Sequence, residues 1–268
     1  MYRLCAMVTL TAAVTACGAG ERGQPAATPP QRLELGLVAV GARIGDDSVR
    51  SSGIVVDGGA GLVVTTAHTV WGARSLKLDT PVGILHGRIV ARAPCDDLAL
   101  LQTYPRIPGL VAPVPAPESR PAQGQALRSV GRRRIDGGNG LVSIPVRASG
   151  AGTAMRPFPP STTALDAPLV PEVSGGPVLD EAGRLVGMAI ARDSGAGLTL
   201  PWEAIRRRLD ELRPGPREVY VGWRDQYRCV SALHAYAREH HPGFHARDAR
   251  LNAYVPATRL PGTEALDG

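Results

Sequence analysis

The stretch Ser174-Gly175-Gly176-Pro177-Val178-Leu179 joins a hydroxyl, two glycines and a proline that opens an apolar run. Two glycines let the backbone turn sharply and come close to its surroundings. A proline at the first position of a strand is tolerated, because its missing N–H is not needed there. Two segments upstream carry complementary chemistry. Val63-Val64-Thr65-Thr66-Ala67-His68 is a β-branched run that ends in an imidazole. Asp97-Leu98-Ala99-Leu100-Leu101 opens an apolar strand with a carboxylate. Histidine, acid and serine follow one another at separations of 29 and 77 residues.

The chain around these segments reads as all-β. Apolar, β-branched runs recur at Leu35–Ala42, Gly53–Asp57, Leu62–Thr66, Gly87–Ala91, Leu98–Gln102, Leu127–Gly131, Val142–Ala148, Pro177–Leu179, Leu185–Ala191 and Gly197–Leu200. Gly-Gly, Asp-Gly and proline punctuation separates many of them, the pattern of a sandwich or barrel. The 268 residues leave room for one double-barrel domain or two small ones, and 32 glycines with 24 prolines suit short strands. Hydrophobic content is 44% but aromatics are only 4%, so aliphatic side chains must fill the core. The first clear helix is Pro201–Leu212, with Ala204, Ile205, Leu209 and Leu212 on one face and Pro214-Gly215-Pro216 after it. A second is expected over about Asp225–His240, stopped by Pro242-Gly243.

Attack on an amide carbonyl needs a nucleophile stronger than a neutral hydroxyl. An imidazole that removes the proton supplies it, and a shielded carboxylate holds the imidazole in the right tautomer. Ser174, His68 and Asp97 are the candidates for these roles. Singly, each has a plainer reading: a histidine after a strand is commonly structural, and an aspartate at a strand start commonly caps a turn. Asp96 is the neighbouring competitor for the acid.

Residues 33–213 resemble the trypsin-like serine peptidases, in particular the bacterial high-temperature-requirement (HtrA/Deg-like) branch. The matching residues are Ser52-Gly53-Ile54-Val55-Val56-Asp57, Val64-Thr65-Thr66-Ala67-His68-Thr69-Val70, Asp97-Leu98-Ala99-Leu100-Leu101, Leu165-Asp166-Ala167, Ser174-Gly175-Gly176-Pro177-Val178-Leu179 and Leu200-Pro201. The resemblance implies a double six-stranded β-barrel of the chymotrypsin type with a C-terminal helix and a short, partly helical tail. It implies the triad His68, Asp97 and Ser174 at the junction, hydrolysis of peptide bonds in a peptide or protein substrate, and no cofactor or metal. It places an oxyanion hole at the backbone N–H groups of Glu172 and Ser174. It places Pro168, Ala191 and Arg192 around the specificity pocket, with Asp166 and Asp193 close by. No carboxylate stands at the position of Pro168, which favours a small apolar residue before the scissile bond.

The pattern breaks beside the serine. The family carries glycine two residues before it and Asn or Asp one before, where this chain has Glu172 and Val173. Losing one oxyanion donor costs on the order of 3 kcal/mol of transition-state stabilisation. A glutamate held in the left-handed conformation that glycine accepts carries roughly 1–2 kcal/mol of strain. The alternative is a flipped peptide that turns its N–H away. Two outcomes follow: an enzyme whose loop reorders on substrate, or a binding protein that keeps the triad as a relic.

The N-terminus reads as an export signal. Residues 1–16 carry one positive charge, Arg3, and an apolar run from Leu4 to Ala16 too short to span a bilayer. Val14-Thr15-Ala16-Cys17-Gly18 resembles a lipoprotein processing box, with Cys17 the lipidated residue. Residues 17–32 then form a flexible tether, and the domain faces the extracytoplasmic side of a membrane. Cys95 and Cys229 remain, either as a disulfide or as two buried thiols. The formal charge is +6, and Lys77 is the only lysine. The clusters Arg132-Arg133-Arg134 and Arg206-Arg207-Arg208 read as solvated surface, since no aromatics interleave with them as nucleic-acid binding would ask.

The tail, residues 214–268, is too short for the peptide-binding PDZ module common in the branch. Its His234, His240, His241 and His245 lack a metal-ligand spacing and read as a solvated helix face. Trp223, Tyr227, Leu233 and Tyr236 recur at near-helical spacing and read as a stripe that docks on the barrel.

Overall fold

The computed structural model describes residues 29–106, 109–117, 120–135, 138–151, 162–190, 195–212, 219–220 and 223–245. Six strands build the first barrel: β1 (Leu37–Ile44), β2 (Asp47–Asp57), β3 (Leu62–Thr66), β4 (Ser75–Thr80), β5 (Gly83–Ala93) and β6 (Leu98–Tyr104). They run in the order β5-β4-β1-β2-β3-β6, and antiparallel pairing of β5 with β6 closes the sheet. Six more build the second: β7 (Ala126–Ile135), β8 (Gly138–Ala151), β9 (Thr163–Leu165), β10 (Pro177–Leu179), β11 (Leu185–Ile190) and β12 (Leu198–Pro201). They close in the order β10-β11-β12-β9-β8-β7. A short β13 (Val219–Tyr220) adds to the first sheet in parallel with β5.

The continuous apolar runs in the sequence mark strands buried on both faces. On β6, Ala99 and Leu101 fill the first barrel, while Leu98 and Leu100 pack between the barrels. Val63 and Val64 on β3 divide in the same way, as do Val55 and Ile54 on β2. The inter-barrel cluster also takes Leu179, Leu185, Met188, Leu198 and Leu200 from the second barrel. A shared apolar layer of this kind fixes the two barrels against each other, because separating them would return it to water. The strand ends that carry the candidate chemistry are therefore held at fixed positions on the two barrels.

Among the described residues four α-helices accompany the barrels: α1 (Pro29–Gly36), α2 (Ala67–Val70), α3 (Trp202–Glu211) and α4 (Trp223–His240). On α3, Ala204 and Ile205 are buried against the inter-barrel layer and Leu209 packs beside them. Val230, Leu233 and Ala237 on α4, with Phe244 beyond it, join the core of the first barrel. The tail therefore docks, as the stripe at Leu233 and Tyr236 implies; the side chains of Trp223 and Tyr227 lie outside the described residues. A disulfide joins Cys95 to Cys229, Cα atoms 5.1 Å apart, and ties the start of α4 to the turn before β6.

Several expectations need correction. The end of the expected tether is helical, since α1 begins at Pro29. β4 was hidden by its polar alternation: Leu76 and Leu78 point inward while Ser75 and Lys77 face solvent. Two of the arginines are not solvated surface. Arg132 donates to the carbonyls of Leu37 (2.9 Å) and Glu34 (3.3 Å), and Arg208 pairs with Asp96 at 2.6 Å. Of the tail histidines expected on a solvated face, His234, His240 and His241 are half-buried instead, while His245 is exposed. Among the described residues no group of His, Cys, Asp and Glu side chains is arranged to hold a metal ion.

Candidate active site

β3 runs between the two cores, with Val63 in the first barrel and Val64 between the barrels, and ends at Thr66. One helical turn follows, α2, closed by hydrogen bonds between the hydroxyls of Thr66 and Thr69 (2.9 Å) and from the Thr69 hydroxyl to the Thr66 carbonyl (3.0 Å). His68 is its second residue. The ring is 3% exposed.

Asp97 reaches His68 from the neighbouring strand. A 3-10 turn over Pro94–Asp96 delivers the chain to β6, and Asp97 ends it in the left-handed conformation at φ 50°. Aspartate is among the residues that tolerate this region, at some cost in strain. Its carboxylate accepts twice from His68, from the backbone N–H at Oδ1 (2.8 Å), and meets ring Nδ1 at Oδ2 (2.7 Å). The Asp97 carbonyl accepts the N–H of Ala67 at 2.9 Å. A fully buried carboxylate facing Nδ1 keeps the proton on that nitrogen and leaves Nε2 as the base. Asp96 turns to Arg208 instead. Burial raises the Asp96 pKa above its ordinary value, and the Arg208 guanidinium opposes the rise without cancelling it.

Ser174 lies on the other barrel, three residues before β10 begins at Pro177, and is 2% exposed. Its carbonyl accepts the N–H of Ser52 on β2 at 2.8 Å. Gly175 adopts φ 81° and is pressed so closely on the Ser52 carbonyl and the Thr65 hydroxyl that no Cβ fits. The serine loop is thus seated against the middle of β2 at Ser52 and the end of β3 at Thr65, three residues before His68 along the chain.

The residues before Ser174 do not form a left-handed turn. Pro171–Val173 is a 3-10 turn, and Glu172 is not at positive φ. The Val173 N–H donates to the Val170 carbonyl (3.1 Å), and the Ser174 N–H donates to the Pro171 carbonyl (3.0 Å). A donor assigned to an oxyanion hole is therefore already satisfied by a backbone oxygen. Of the two ways to place a glutamate here, the chain takes the turned peptide and avoids the strain. Three groups brace this conformation. The Ser52 hydroxyl donates to the Glu172 carbonyl (2.8 Å) and accepts the N–H of Arg132 (2.9 Å). The Glu172 carboxylate lies 3.5 Å from Arg133 Nε.

Around this centre Pro168 is exposed, and Ala191, Arg192 and Asp193 lie outside the described residues, as does Cys17. The Asp166 carboxylate caps the N–H of Arg147 at 2.7 Å, a structural task at the start of the second barrel's β8–β9 pairing. Sequence reading missed the bridging role of Ser52 and the contact of Tyr236 with His68, whose ring centroids lie 5.2 Å apart at 73°. Tyr236 had a signal, its place on the apolar stripe, but a stripe does not say which residue of the barrel it meets.

Residues 51–188 match the family model described as a trypsin-like peptidase domain. Solved structures agree in fold. The Rv3671c protease of M. tuberculosis in its active form is 20% identical, with a TM-score of 0.58, covering 70% of this chain and 86% of that one. Its inactive form is 22% identical, with a TM-score of 0.54, over 69% and 92% of the two chains. A serine endoprotease from Yersinia pestis is 20% identical, with a TM-score of 0.57, over 69% and 66%. No curated protein sequence matches the chain.

Proposed function

We propose that the chain, which belongs to the trypsin-like peptidase family, is an exported serine endopeptidase that rests with its oxyanion site closed. Ser174 attacks the scissile carbonyl, and His68 Nε2 takes the hydroxyl proton as the new C–O bond forms. Asp97 holds Nδ1 and stabilises the imidazolium. The proton then passes from His68 to the leaving amine as the C–N bond breaks, leaving an acyl group on Ser174. Water, deprotonated by the same imidazole, releases the acid and restores the serine.

The observation that carries this reading is the doubly held histidine: ring and backbone of His68 both bound by one buried carboxylate. A histidine kept only for packing needs no such partner. The test is labelling of Ser174 by a fluorophosphonate, read by mass spectrometry of the modified peptide. The reading expects label on Ser174, and none in Ser174→Ala. Absence of label at saturating probe would refute it.

One observation favours a second reading. The Pro171 carbonyl sits on the Ser174 N–H, as it would in a peptidase-fold lipoprotein that binds a peptide or envelope partner without cutting it. That protein would bind peptides yet stay unlabelled. In both readings the domain is tethered to the extracytoplasmic face of a membrane through a lipid on Cys17, an inference from the box Val14–Gly18. Radiolabelled palmitate should enter the full chain in bacterial cells and be lost in Cys17→Ser.

A further inference from the structure

Tyr236 lies one turn before the C-terminal end of α4. The residues flanking it on the helix, Leu233 and Ala237, are fully buried in the core of the first barrel. That packing directs Tyr236 at α2, where its ring meets His68 in an edge arrangement at 5.2 Å. One turn further on, His240 stacks on Tyr236 with centroids 3.9 Å apart and planes 16° from parallel. The His240 ring is itself fixed, its Nδ1 donating to the Tyr236 carbonyl at 2.8 Å.

The helix that carries this pair is held at both ends. The Cys95–Cys229 bond anchors its first half beside the turn that precedes Asp97. At the far end the Asp46 N–H donates to the Pro242 carbonyl at 3.1 Å, and Gly45 packs so tightly on Pro242 and Gly243 that no side chain fits there. Phe244 is buried just beyond. A ring on such a support is a wall and not a mobile flap.

An imidazole that works as a base must keep Nδ1 on its carboxylate while Nε2 meets the nucleophile. A hydrogen bond alone leaves the ring free to rock about its two side-chain torsions. A packed aromatic on one side removes that freedom, and edge contacts between rings contribute about 0.5–1.5 kcal/mol beyond area burial. Excluding water also strengthens the bond to the buried carboxylate. We propose that Tyr236 is a positioning residue for His68, and that α4 belongs to the catalytic apparatus of the barrel. The catalytic consequence rests on reading His68 as the base; the shielding of its bond to Asp97 does not.

The test uses the full chain with Tyr236→Ala, Tyr236→Leu and Tyr236→Phe. The first readout is solvent exchange of the His68 Nδ1 proton by NMR. Exchange should be about tenfold faster in Tyr236→Ala and in Tyr236→Leu, which keeps the apolar fill that holds the helix down, and unchanged in Tyr236→Phe. The second is the rate of Ser174 phosphonylation, which should fall about tenfold in the first two variants and recover in Tyr236→Phe. Exchange equal to that of the wild type in Tyr236→Leu, with the disulfide formed and helicity intact, overturns the proposal. So does a wild-type Nδ1 proton that exchanges as fast as in free imidazole. If exchange changes as expected but no form of the protein reacts with the probe, Tyr236 keeps its role and the peptidase reading fails.

Discussion

The two barrels present their halves of the site in opposite states. On the first, the residues proposed as base and acid are firmly held: His68 is bound at ring and backbone, Asp97 is buried, and Tyr236 closes one side. On the second, Ser174, the nucleophile of the proposed reaction, has its N–H spent on the Pro171 carbonyl. The difference follows from what each half needs. A base needs fixed side chains, which packing supplies at all times. An oxyanion hole needs unsatisfied backbone donors, and a buried donor without a partner costs about 1–3 kcal/mol. A 3-10 turn that satisfies it internally is the lower-energy resting state unless glycine makes the open form easy.

Asp97→Asn should break the assembled half most severely. An amide in this place offers an N–H to Nδ1 and selects the wrong tautomer, so kcat/KM for a casein-derived peptide should fall on the order of 10³–10⁴-fold. Cys229→Ser should loosen α4, and with it the Tyr236 wall against His68, lowering stability to urea by about 5 kcal/mol, since the bond closes a loop of 134 residues. On the other half the sign reverses. Glu172→Gly removes both the bar to a left-handed turn and the carboxylate beside Arg133, and should raise kcat/KM about ten- to a hundredfold. A Glu172→Gly protein no faster than the parent would mean that the loop opens freely on substrate.

The smallest effect is a slope with pH. Burial, with Arg238 and Arg92 nearby, lowers the pKa of His234; burial likewise lowers that of His241, against the opposing pull of Asp47. A depressed histidine favours the fold above its ordinary pKa of 6.5, and that stability is lost as pH falls through the folded value. The melting temperature should therefore drop on acidification below about pH 6.5, and His234→Leu should flatten the slope.

The sequence carried the assembled half better than the closed one. Apolar runs that alternate between two cores, as at Leu98–Leu101, are legible because burial on both faces forces every residue to be hydrophobic. Asp97 was separable from Asp96 only through the resemblance, since two adjacent carboxylates look alike until the left-handed turn sends them to different partners. The Glu172 anomaly was visible, but not its resolution, which depends on Ser52 reaching from 120 residues away. The strand β4 and the helix α1 were lost to their polar composition. Docking of α4 was readable as a stripe, whereas its contact with His68 depends on a disulfide whose pairing the count of cysteines left open.

The most direct test is a pair of crystal structures, one of the free protein and one of its adduct with a peptidyl phosphonate on Ser174. The account predicts that the Pro171 carbonyl leaves the Ser174 N–H and a phosphonate oxygen takes its place, while the hydrogen bonds between His68 and Asp97 stay as they are. A loop that keeps the Pro171 carbonyl on Ser174 in the adduct, or a His68–Asp97 pair that forms only there, would contradict it.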